Sequence, residues 1–126
     1  MEQGTKLSAT KQLGNLAETY AARYLAGKGY VILSQNYRQP WGEIDIVARK
    51  EDVLMFVEVK ANRRELAGFE PELRVDHAKR QRMARIAQTF LQDMNFSSDQ
   101  AWQMDVVSVT FIKERGVAKM RHYKNI

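Results

Sequence analysis

Leu13, Leu16, Ala17, Tyr20, Ala21, Tyr24 and Leu25 recur at the three- and four-residue spacing of one helix face, and the pattern stops at Gly27 and Gly29, residues that suit a helix terminus. Residues 1–10 ahead of it are polar and aperiodic and read as a flexible arm. Tyr30 to Leu33 is a short β-branched and aromatic run. After the punctuation of Gln39, Pro40, Trp41 and Gly42, the segment EIDIVAR (43–49) alternates polar and apolar as a strand does. Lys50, Glu51 and Asp52 make a polar turn, and VLMFVEVK (53–60) is apolar nearly throughout, the mark of a central strand. Residues 61–75 keep no period and contain Gly68 and Pro71, so they read as a loop. Met83, Ile86, Ala87, Phe90, Leu91 and Met94 then form a second helical stripe, with Lys79 one turn ahead of it. Past the polar break NFSSDQ, the run WQMDVVSVTFI (102–112) is a strand, Lys113 to Gly116 a turn, and VAKMRHYKN a last strand or tail.

The order helix, three strands, loop, helix, two strands predicts an α/β or α+β fold, a mixed sheet with helices packed on it. At 126 residues the chain has the length of one domain, and nothing in 1–126 marks a boundary or a repeat.

Composition narrows the chemistry. No cysteine is present, which removes thiolate nucleophiles, thiolate metal sites and disulfides. The two histidines, His77 and His122, are too few and too far apart for a zinc site and are expected at the surface. No apolar run approaches the roughly 18 residues that span a bilayer, and no apolar leader is evident, so a cytoplasmic protein without membrane contact is expected. Twenty Lys and Arg against fifteen Asp and Glu give +5 and a pI near 9.6, a balance that favours a polyanionic partner such as nucleic acid.

The hairpin between residues 43–49 and 53–60 gathers charges. With Glu51 and Asp52 as its loop, Lys50 pairs with Val53, and counting outward sets Asp45 opposite Glu58, their Cβ atoms about 4.5–5.5 Å apart. Lys60 shares the face of Glu58, two residues on. Two opposed carboxylates in an apolar sheet repel each other, and a divalent cation would offset that cost; hydrolysis of a phosphodiester would use all three groups. A solvated salt-bridge cluster is the alternative that the pattern leaves open.

These residues resemble a known signature. The spacing of Asp45, Glu58 and Lys60 looks like the PD-(D/E)XK nuclease motif. The wider match, LGNLAETYAARYLAGKGYVILSQNYR, GEIDIVA, FVEVKANR, the Val75 to Lys79 segment and MDVVSV, resembles the YraN-like family of predicted endonucleases from residue 13 to about 110. The resemblance implies a restriction-endonuclease-like three-layer core, a central mixed sheet flanked by helices, similar to Holliday-junction resolvases and the tRNA endonuclease-like superfamily. It implies Asp45, Glu58 and Lys60 as catalytic positions, and Glu18 on the first helix as a further catalytic carboxylate. Asp45, Glu58 and Glu18 would hold Mg²⁺ or Mn²⁺. Lys79, Arg63, Arg64 and Arg82 are expected to grip nucleic acid, with DNA, in branched or damaged form, the expected substrate. Symmetric cleavage of a junction would call for a homodimer. The sequence departs from the family after EVK, where Ala61 and Asn62 stand in place of the usual hydroxyl and arginine. A non-catalytic nucleic-acid-binding module and a basic protein-interaction domain remain the alternatives.

Overall fold

A computed structural model describes residues 9–62 and 77–126. Most of the expected arm (1–8) and all of the expected loop from residue 63 on, with Arg63 and Arg64, lie outside the described residues. Helix α1 (Ala9–Gly27) begins within the stretch assigned to the arm, because Ala9 and Thr10 continue the first turn that Leu13 and Leu16 require. It closes as the two glycines suggest. The N–H of Tyr30 donates to the carbonyl of Leu25 at 3.0 Å, and Gly29 between them takes φ +95°, a conformation that glycine reaches without steric cost.

Five strands follow in the order of the chain: β1 (Val31–Gln39), β2 (Gly42–Lys50), β3 (Val53–Asn62), β4 (Trp102–Ile112) and β5 (Val117–Tyr123), with α2 (His77–Asp93) between β3 and β4. Neighbours run antiparallel except β3 and β4, which are parallel and joined through the α2 crossover, so the sheet is mixed and the fold is α+β. Strand β1 extends well past the expected Leu33. It is an edge strand with only β2 beside it, so polar residues suit it, and a register shift between Ile32 and Ser34 breaks the alternation that would have revealed it.

Side chains of the central strands alternate between two cores. Met55 and Val57 of β3 join Ile46, Ala48, Val107 and Val109 under Ala17, Ala21 and Leu25 of α1. Leu54 and Phe56 face the other way, with Val47 and Met104, against Met83, Ile86, Ala87 and Phe90 of α2. The result is three layers, helix, sheet and helix. Gly42 is required by the second of these. A Cβ there would sit 2.7 Å from Ile86 Cδ1, so a side chain at that position would push the end of Ile86 aside, and at φ +155° it would also strain the turn. Among the described residues no helix is long and apolar enough to cross a membrane.

Among the described residues one charged side chain lies wholly inside the fold. Asp105 of β4 has no exposure; its carboxylate accepts hydrogen bonds from the Gln103 side chain at 3.0 Å and the Asn125 backbone at 2.9 Å, and pairs with His122 Nε2 at 2.7 Å. His122 is therefore not a surface histidine: its side chain is 7 % exposed and lies edge-on to Tyr30. The spacing between Asp105 and His122 hides this, because β5 returns antiparallel beside β4 and sets His122 opposite Val107. A buried carboxylate is stable only while it is hydrogen-bonded. His122→Ala removes one of its three partners and is expected to lower unfolding stability by about 2 kcal/mol, the worth of a hydrogen bond to a charged group, read as a lower urea midpoint with an unchanged m-value.

Candidate active site at the ends of β2 and β3

The β2–β3 hairpin forms in the expected register from Lys50–Val53 through Ile46–Val57, and there the ladder ends. The next rung, Asp45 with Glu58, is not made. Asp45 Oδ2 instead accepts the backbone N–H of Val59 at 2.8 Å, so a carboxylate takes a donor on the facing strand and the hairpin opens around it. Two acidic side chains in direct opposition repel each other, which accounts for the opening.

The opening is a cleft of about 220 Å³ lined by Glu43, Ile44, Asp45, Val57, Glu58, Lys79 and Met83. Helix α2 closes one side, with Met83 in the core and Lys79 a turn earlier. Lys79 Nζ lies 2.8 Å from Glu58 Oε2, and Lys60 Nζ, projecting from the same strand as Glu58, lies 3.6 Å from the same oxygen. Both ammonium groups thus converge on one oxygen, while Glu58 Oε1 is buried and has no hydrogen-bond partner among the described residues.

Asp45 is the strongly perturbed group. Burial is the largest cause lifting its pKa from 3.8 to about 6; the Val59 N–H opposes the rise, and the charges of Glu18, Glu43 and Glu58 add to it. Glu18 approaches from the α1 layer. It is half-buried, its pKa also raised by burial, and the side chain of Asn36, a residue at φ +56°, hydrogen-bonds it. Glu18 is within electrostatic reach of Asp45 without lining the cleft, and among the described residues no three of His, Asp and Glu group closely enough to hold an ion by themselves.

The expected residues therefore separate. Asp45, Glu58 and Lys79 line the cleft, Lys60 adjoins it, and Glu18 stands behind Asp45. Arg82 is exposed on α2, one turn past Lys79 and outside the lining. Arg85 lies over the ring of Trp41 at 4.2 Å, which joins it to the β1–β2 turn. Glu43 was missed, because the alternation of β2 breaks at Asp45, where Ile44 and Ile46 pack in opposite cores; it lines the cleft and pairs with Arg38 at 3.1 Å. Asn36 carried no sequence signal, since its role depends on a left-handed backbone inside a strand.

Asp45 and Glu58 are the cleft residues that could hold a divalent cation, with water and substrate supplying its other ligands. Carboxylate oxygens are hard ligands, Glu58 Oε1 is an orphaned acceptor, and Mg²⁺ commonly rests on one or two carboxylates with water and substrate completing its shell.

Residues 17–109 match the family described as Uncharacterised protein family UPF0102. Among similar proteins, the UPF0102 protein of Roseiflexus castenholzii is 41% identical over 99 residues, covering 79% of both chains. That of Syntrophus aciditrophicus is 41% identical over 109 residues, covering 86% of this chain and 84% of its own. That of Dictyoglomus turgidum is 32% identical over 115 residues, covering 91% and 96%.

Proposed function

Since the chain belongs to the UPF0102 family, whose description names no activity, we propose a function from its own cleft: metal-dependent hydrolysis of phosphodiester bonds in nucleic acid, with DNA as the substrate. The observation that carries this reading is the meeting of a perturbed Asp45, a Glu58 with an unpartnered oxygen, and two lysine ammonium groups at one opening of the sheet. The resemblance of GEID and EVK to the PD-(D/E)XK signature supports it, as does the helix–sheet–helix layering.

In this reading Asp45 and Glu58 hold Mg²⁺ or Mn²⁺, which when bound acidifies a water and offsets charge on the phosphodiester. The protein's own groups do the rest. Lys60 and Lys79 set positive charge where a pentavalent phosphorane gains negative charge. Asp45, its pKa raised to about 6 in the metal-free cleft chiefly by burial, would be held ionised by the bound dication. Beside burial, the charges of Glu18, Glu43 and Glu58 add to that rise. The net charge of +5 and exposed arginines such as Arg82 draw the phosphate backbone to the cleft. A cytoplasmic protein working on branched or damaged DNA as a homodimer completes the proposal.

The test is incubation of the purified chain with labelled duplex, single-stranded, flap and four-way-junction DNA, and with RNA, with and without Mg²⁺. Mg²⁺-dependent cleavage of DNA is expected. Absence of cleavage on every substrate, with binding retained and unaffected by metal, would replace the enzyme with a nucleic-acid-binding module.

A further inference from the structure

We propose that Lys79 is a built-in counterion that holds Glu58 neutralised until a divalent cation displaces it, after which its ammonium moves to the phosphate of the substrate. This rests on the metal-dependent reading above and adds to it an antagonism between a residue of the chain and the metal.

The geometry sets the two lysines apart. Lys60 is fixed two residues from Glu58 on one strand, and its contact is the longer, 3.6 Å. Lys79 arrives from the first turn of α2 and makes the short contact, 2.8 Å, which is also a hydrogen bond, so it supplies the stronger counter-charge; its side chain is 34 % exposed, which leaves its head a path to solvent. The contact has a position's worth of consequence. With both ammonium groups on Oε2, the buried Oε1 is the acceptor left for a ligand, and a dication there would lie beside a positive charge already sharing the carboxylate. Like charges on one carboxylate repel, so a bound dication weakens the Lys79 contact.

This differs in sign from the alternative that Lys79 merely orients Glu58. An orienting lysine aids metal binding, and its loss weakens it. A competing lysine opposes metal binding, and its loss strengthens it. Because coupling is reciprocal, a phosphate that draws Lys79 away also favours metal loading, so cation and substrate assist each other.

The experiment measures Mn²⁺ binding to the full chain without nucleic acid, from loss of the free-ion electron-spin-resonance signal, for wild type, Lys79→Met, Lys79→Gln, Lys79→Arg and the double variant Glu58→Gln/Lys79→Met. Lys79→Met and Lys79→Gln, two substitutions so that a folding failure in one leaves the other, should bind about tenfold more tightly, or about 1.4 kcal/mol. Lys79→Arg should stay near wild type, and the double variant should lose the gain. Wild-type binding with equal or weaker binding by both neutral variants overturns the counterion role and leaves the proposed activity standing. No Mn²⁺ uptake by wild type or any variant overturns both.

Discussion

Glu58→Gln should abolish Mg²⁺-dependent cleavage to within the limit of assay, a loss of about a thousandfold or more in kcat/KM, while the variant folds and binds DNA at least as well as wild type. The amide keeps the size and shape of the side chain, so the packing of β3 is undisturbed; what it loses is the charge that Lys60 and Lys79 share and the anionic Oε1. Removing a group that stabilises charge in the transition state typically costs two to three orders of magnitude, and a lost metal ligand adds to that. Binding should not fall, because deleting one negative charge from a cleft facing a polyanion raises the local positive potential, and the salt dependence should steepen slightly. Parallel measurement of single-turnover cleavage and of affinity in Ca²⁺ separates the two effects. A variant that cleaves at the wild-type rate would remove Glu58 from the chemistry and with it the site as drawn.

The second large effect is on stability and has the opposite sign to most substitutions. Asp45→Asn should make the metal-free protein more stable at pH 8 and leave it unchanged at pH 4. The sign follows from the raised pKa: between 3.8 and about 6 the folded chain keeps a proton that the unfolded chain has released. The contribution of this group to folding is therefore fully present below about pH 4 and is lost as the pH rises through 6. At pH 8 the ionised carboxylate costs on the order of 3 kcal/mol relative to its protonated form, and Asn, neutral throughout, escapes that cost while its amide oxygen still accepts the Val59 N–H. Thermal unfolding at the two pH values in EDTA gives the comparison, and Mg²⁺ should narrow the gap at pH 8 by stabilising wild type alone. A variant less stable than wild type at pH 8 would mean that Asp45 is a structural acceptor rather than a strained functional group. Stored strain of this kind is common where chemistry is done, since the arrangement that suits a ligand is seldom the most stable one without it.

Much of this was legible in the residues. Period and punctuation placed both helices and the β2, β3 and β4 strands, because each buries a regular face, and counting outward from Lys50 and Val53 gave the hairpin register through Ile46 and Val57. The ladder stops before the next position, Asp45 with Glu58, because Asp45 there substitutes a side chain for a backbone acceptor. The length of β1 was hidden by a bulge and by the tolerance of an edge strand for polar residues. The Lys79 contact with Glu58 was foreseeable only in outline: helical spacing turned Lys79 inward, but which carboxylate it meets depends on how α2 lies across the sheet. The Asp105–His122 pair was out of reach, since only the return of β5 beside β4 brings those two residues together.

The strand order gives the cleft a history in time. β1, β2 and β3 are consecutive and joined by tight turns, so in a folding chain their pairing needs little loop closure, whereas β4 can join β3 only after α2 has crossed over. The carboxylates of Glu43, Asp45 and Glu58 and the ammonium of Lys60 all belong to the early meander; Lys79 belongs to the late crossover. A nascent chain leaving the ribosome thus presents Glu43 and Glu58 with Arg38 and Lys60 of the same meander as their counter-charges, before Lys79 has been synthesised.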